Sequence, residues 1–270
     1  MDWASKPGCN FEIINLTVRK YFSFNAKYYN YWPVYTTIGK YYPIGTDHIT
    51  WPGFRQQNPG TIALNELIVH AFGDQQFATW RNFRQQIGET LQKETFDYSS
   101  IHFPAYTAEV ILNTFKYKTV THVQKLILSV SLAGPFFTLY GVDETAVAVY
   151  NAEGPDGMIR TINTIVTSPS GDFATAFKAT EKLVREQFNG YKLLPLSISA
   201  LYLKGHYNSF TEENENTVHA SLFGNQLNDY GTEANYSGDE YYGWSEWRTE
   251  EPLPGGWIAY PLLSPEDQAT

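Results

Sequence analysis

The chain of 270 residues has a single cysteine, Cys9, so no disulfide can form within it. It also has no run approaching the roughly eighteen consecutive apolar residues of a membrane-spanning helix. The two longest candidates, KLILSVSLAGPFFTLYGV and YKLLPLSISALYL, each carry polar residues and a proline. The opening MDWASKPGCNFEI has no basic segment leading into an apolar one, as a secretory leader would. These features read as a reduced, cytoplasmic protein with no membrane partner, in which the sequons at Asn15 and Asn235 carry no meaning. Recognisable catalytic signatures are missing too: there is no G-x-S-x-G elbow, phosphate-binding loop, G-x-G-x-x-G, H-E-x-x-H or EF-hand loop. The expectation leans away from enzymatic chemistry and calls for no cofactor.

Charge of one sign is scarce at each end. Between Ile13 and Asn65 the only acid is Asp47, whereas residues 210–270 hold twelve acids and one base, Arg248. The net charge of −9 is therefore concentrated in the last part of the chain. Such asymmetry points to a charged partner, to an intramolecular match with the basic N-terminal segment, or to a solvated tail. Aromatic residues are abundant, at 16%, with 20 Tyr, 17 Phe and 7 Trp. Large rings serve cores and interfaces alike, and the excess is greater than a core of this size needs.

The period of the apolar residues changes along the chain. The first sixty residues, FEIINLTVRKYFSF and NYWPVYTTIGKYYPIG, read as aromatic strand and loop, with Pro59-Gly60 as a boundary. A helix pair is predicted over 61–95, with Ile62, Leu64, Leu67, Ile68 and Ala71 in the first member; Asp74 caps the second, where Phe77, Trp80, Phe83 or Arg84, Ile87 and Leu91 form an apolar stripe. Short runs of strand follow. In 125–132, Leu126, Leu128, Val130 and Leu132 face one way and Lys125, Ser129 and Ser131 the other, which fits an antiparallel sheet with one packed and one wetter face. A third helix is predicted at SGDFATAFKATEKLVREQFNG, with Phe173, Phe177, Thr180, Val184 and Phe188 buried and Ser170 or Asp172 as cap. YKLLPLSISALYL reads as one more strand. The expected fold is α+β: an antiparallel sheet on about three helices, with residues 1–205 as one core and 206–270 as an irregular acidic extension on or beside it.

Three sets of residues are candidates for chemistry. Glu66, His70 and Asp74 have ligand-like types at spacings of four, but pairs of this kind are common on solvated helix faces, so no metal is expected. His206 and His219 lie near the acidic tail as acid–base candidates, although routine hydrogen bonding is the commoner fate of a histidine. The segment VRKYFSFNAKYYNYW mixes bases and rings as a nucleic-acid surface would, yet a pI near 5.1 opposes that reading. The strongest candidate is SGDEYYGWSEWRTEE. There Trp244 and Trp247 are expected as docking anchors, Tyr241 and Tyr242 as supports, and Asp239, Glu240 and Glu246 as steering charges for a basic protein partner. In size and charge layout the chain is similar to the immunity proteins that neutralise bacterial toxins, a likeness of composition that assigns no residue a role. The same rings and acids also fit a carbohydrate site, where two carboxylates flank stacked sugars.

Overall fold

The computed structural model describes residues 10–15, 20–25, 28–42, 58–151, 154–201, 217–227, 235–239 and 241–251. An antiparallel hairpin of β1 (Asn10–Asn15) and β2 (Lys20–Asn25) comes first. The aromatic run after it, expected as strand and loop, contains a helix instead, α1 (Trp32–Tyr41). Pro33 sits in its first turn, where a missing N–H costs nothing and the fixed φ favours the helix. Val34, Ile38 and Tyr41 then fall on one buried face. Pro59, expected as the boundary before the helix pair, is itself the first residue of a helix. There α2 (Pro59–Ala71) begins, capped by Asn58, whose side-chain oxygen accepts the Thr61 N–H at 3.0 Å. In α3 (Asp74–Leu91) the buried stripe is Trp80, Phe83 and Ile87, at the spacing predicted, but Gly73 holds the cap position expected of Asp74.

The main sheet is built from β3 (Glu94–Asp97), β4 (Ala105–Tyr117), β5 (Val120–Ser131), β6 (Phe136–Asn151) and β7 (Gly154–Val166), antiparallel in chain order. After it come α4 (Ala174–Gln187), β8 (Lys192–Leu193), α5 (Leu196–Ser199), α6 (Val218–Leu222) and β9 (Asn235–Ser237). β8 pairs parallel with β6 and β9 parallel with β7, completing seven strands. The fold is α+β with a mostly antiparallel sheet, and the described residues hold six α-helices. YKLLPLSISALYL yields only the two residues of β8, because Pro195 has no N–H to extend a ladder and leads into α5 instead. Ser170, an expected cap, makes no capping bond; a 3-10 turn at Gly171–Phe173 lies between it and α4.

Both faces of the sheet are covered near its middle. On one, Leu126, Leu128 and Val130 pack with Trp80, Phe83 and Ile87 of α3 and with Phe177 and Val184 of α4. The opposite face, expected to be wetter, is also buried: Lys125, Ser129 and Ser131 lie inside. The physical reason is a second layer, in which Leu196, Ala200 and Leu227 cover Ile127, Tyr140, Val142 and Ile165. Several polar groups there have partners, as burial favours. The Ser129 and Thr107 hydroxyls meet at 3.0 Å, and Lys125 Nζ lies 3.0 Å from carboxylates of both Glu109 and Glu144. A third cluster joins α1, α2, α5 and α6 around Trp244 and Trp247. No described helix is long and apolar enough to cross a membrane.

Candidate functional site

The predicted docking residues fold back onto the core. Gly243, at φ 86, turns the chain through the left-handed region into a 3-10 turn at Trp244–Trp247. That turn places the two tryptophans, three residues apart, on its inner side. Trp244 and Trp247 are 4% and 2% exposed, so neither is a docking anchor or a sugar-stacking platform. Burial of so large an apolar surface outweighs exposure once the indole N–H has a partner. Here Trp247 Nε1 donates to the Leu193 carbonyl at 2.8 Å and Trp244 Nε1 to Ser197 Oγ at 3.1 Å.

The acids of the same segment have separate fates. Both Glu246 oxygens accept from Arg185, at 3.1 and 2.5 Å, and one also accepts the Leu193 N–H at 3.3 Å, so this carboxylate is a fastening and not a steering charge. The Tyr242 hydroxyl donates to Glu181 at 2.5 Å while its ring meets Phe177 edge-on; burial, reinforced by the Glu181 carboxylate, raises its pKa. Asp239 and Tyr241 stay outside. The Tyr241 N–H donates to Asp239 Oδ1 at 2.9 Å, and the tyrosine is 46% exposed. Glu240 lies outside the described residues. The segment is thus a clip that fastens onto α4, β8 and α5. Its outward side shows Asp239, Tyr241, Arg248, Glu250 and Glu251, with exposed Tyr28 joined through the Thr249 N–H to its carbonyl at 2.9 Å. Trp247→Phe is expected to lower the unfolding free energy by about 1–2 kcal/mol through the lost hydrogen bond and the small void. Tyr241→Ala, which removes a half-exposed ring set edge-on to Trp244 at 4.8 Å, is expected to lower it by about 0.5–1 kcal/mol, and urea titration measures both variants.

The other candidates do not assemble. Glu66 and His70 lie on α2 and Asp74 begins α3, with His70 Nε2 3.2 Å from Gln76 Nε2. Among the described residues, no three His, Cys, Asp or Glu side chains gather to hold a metal ion. His206 lies outside the described residues. His219 is fully buried on α6 against Tyr140 and Phe223, and burial pushes its pKa down to about 3. A sealed, neutral imidazole has no access to substrate, and no carboxylate among the described residues pairs with it.

A different constellation lies toward the other end of the long strands. At Gly141, on the α3–α4 face, the covering layer comes close to the sheet: an added Cβ would stand 2.5 Å from the Phe173 ring. Beyond it, strand register aligns three rows across β4, β5, β6 and β7 on that same face. The first is Asn113, Gln124, Asp143 and Thr164; the second Phe115, His122, Thr145 and Thr161; the third Tyr117, Val120, Val147 and Ile159. Bulges flank the first row on both sides, with Leu112 the extra residue in β4 and Asn163 the extra residue in β7. They bring Asn113 and Asn163 into one network with the central strands. Asp143 Oδ1 lies 2.8 Å from His122 Nε2 and accepts from Asn163 Nδ2 at 2.7 Å, while Oδ2 accepts from Gln124 Nε2 at 3.3 Å. Asn163 also donates to Thr145 Oγ1 at 2.9 Å, and Asn113 to Gln124 Oε1 at 2.8 Å. Burial alone would raise the Asp143 pKa, but hydrogen bonds from Asn163, His122 and Gln124 outweigh it and hold the carboxyl below its usual range. Sequence reasoning missed this network. Its signal is phase: His122 and Gln124 continue the alternation of Leu126, Leu128 and Val130, so polar side chains stand in line with the core.

No protein-family model matches the chain, and no curated protein or solved structure matches it either.

Proposed function

We propose that the protein is a binding protein that engages a basic protein partner through the outward side of the C-terminal clip, in the manner of a toxin-neutralising immunity protein. The observation that carries this reading is the fastening itself. With Trp244 and Trp247 buried and Glu246 held by Arg185, the acidic segment is fixed to a rigid scaffold. Tyr241, Asp239, Glu250 and Glu251 are then exposed in a set arrangement beside Tyr28. A pre-organised surface loses less entropy on docking than a loose tail. Exposed tyrosines supply contact area, and a net charge of −9 draws in a cationic protein. The anchors in this reading are Tyr241 and Tyr28, not the tryptophans.

A photo-crosslinking residue at position 241, with one at position 117 on the far end of the sheet as control, tests it in cells of the source. The expected result is position-specific capture of a protein of high pI, reduced at least about tenfold by Asp239→Lys/Glu250→Lys/Glu251→Lys or by about 0.5 M salt. Equal capture from both positions, or capture indifferent to the charge reversal, overturns the proposal.

A further inference from the structure

We infer that the sheet face carrying Asn113, His122, Gln124 and Asp143 is a binding site for a neutral saccharide, separate from the clip. Two observations point to a site there. The first is the interlocked set of Asn113, His122, Gln124, Asp143, Thr145 and Asn163, which places half-buried polar side chains in the phase of the core. The second is the pair of bulges on β4 and β7, which turn Asn113 and Asn163 toward the same centre from opposite sides. Bulges of this kind re-aim side chains and are concentrated beside functional sites. Exposed apolar side chains border the network: Phe115 at 61%, Tyr117 at 71% and Ile159 at 62%.

The chemistry selects the ligand. Hydrogen bonds inside the network leave donors and acceptors intermixed on its outer side. Thr145 retains a hydroxyl proton, Gln124 and Asn113 each retain an amide N–H, and Asn113 and Asn163 each retain a carbonyl oxygen without a partner among the described residues. A sugar hydroxyl gives and takes one proton and matches such a mixture. The apolar C–H face of a pyranose has the adjoining Phe115 ring to cover. Phosphate or sulfate does not suit this face. The carboxylate of Asp143 stands at its centre, strand alternation sends Lys116 and Arg160 to the opposite face, and the nearby Lys93 ammonium is taken up by the Leu112 carbonyl. Lys118 lies at the hairpin turn, 5.3 Å from the centre of the Tyr117 ring. A peptide strand is disfavoured because peptides add to sheets along an edge, through backbone bonds, whereas His122, Gln124 and Asp143 stand on the two central strands and are met face-on.

The test is amide-resolved NMR of the full chain titrated separately with cello-, malto-, manno- and xylohexaose, a heparin hexasaccharide and a neutral Gly-Ser peptide. At least one neutral hexasaccharide is expected to shift the side-chain amides of Asn113, Gln124 and Asn163 and the backbone around Phe115 and His122. Phe115→Ala, at an exposed position, is expected to weaken that binding about tenfold with the rest of the spectrum unchanged. Gln124→Ala is expected to weaken it as well, which separates a built polar site from simple adhesion to an exposed ring. The inference is overturned if no neutral hexasaccharide shifts these groups at about 10 mM. It is also overturned if the shifts survive both substitutions, or if only heparin or the peptide produces them.

Discussion

Replacing Lys125 with methionine is expected to lower the unfolding free energy by about 3–5 kcal/mol, the usual cost of removing one partner from a buried ion cluster. Methionine keeps nearly the same length and shape, so the substitution removes charge and little else. It leaves Glu109 and Glu144, with side chains 10% and 9% exposed, directed at a point 3.0 Å from each where an ammonium had been. Two carboxylates excluded from water around an apolar methyl repel each other and lose their solvation together. The triple variant Glu109→Gln/Lys125→Met/Glu144→Gln is expected to recover most of the loss, because replacing a whole buried ion cluster with neutral groups is often close to neutral. Urea denaturation of wild type, single and triple variants near pH 7 decides the matter. A loss below about 1 kcal/mol in the single variant would show that water reaches the triad and that its ions are not interdependent. Position adds a consequence for the sheet face above it. Lys125 pairs in register with Ile111, directly beside the β4 bulge, and Glu144 follows Asp143 at the bulge in β7. The triad ties β4, β5 and β6 together under the polar network, so the single variant is also expected to broaden the NMR signals of Asn113 and Gln124.

The parts of this fold that were legible in the sequence are those set by local periodicity. Trp80, Phe83 and Ile87, and likewise Phe177, Thr180 and Val184, lie at three- and four-residue spacings and form the buried stripes of their helices. Alternation in 125–132 identified the strand and its two faces correctly. What it could not supply was the second layer that buries Lys125, Ser129 and Ser131, because that layer comes from α5 and α6, far along the chain. Pro33 was read as punctuation in strand and loop, although at a first helical turn proline is a start signal, as it is at Pro59. The clip was misjudged for a related reason. Acids around the rings of WSEW were taken as a sign of exposure, yet the three-residue step from Trp244 to Trp247 already fits one face of a 3-10 turn, with Ser245 outward. The polar network was the hardest to see. Its members come from four strands, and although the phase of His122 and Gln124 hints at it, the two bulges that bring in Asn113 and Asn163 are not revealed by spacing along one strand.

Acidification is expected to weaken the protein through His219 before most carboxylates respond. The imidazole is fully buried, neither ring nitrogen has a hydrogen-bond partner among the described residues, and burial pushes its pKa down to about 3. In the unfolded chain the same group titrates near its ordinary value of about 6.5. Between these two values the unfolded state binds the extra proton, so stability falls as pH falls, by up to about 1.4 kcal/mol per pH unit. The contribution is fully present above the unfolded pKa and drains away below it, amounting to a loss of about 3 kcal/mol from pH 6.5 to pH 4. His219→Phe removes the titration while keeping an aromatic ring beside Tyr140 and Phe223. It also removes the desolvation cost of a polar ring without partners, so the variant is expected to be at least as stable as wild type near pH 7 and clearly more stable near pH 4.5. Unfolding free energies measured for both proteins across this range should diverge steadily as pH falls. Parallel curves would mean that His219 takes up its proton in the folded state at an ordinary pH, which a sealed imidazole between two aromatic rings cannot do without opening α6 to water.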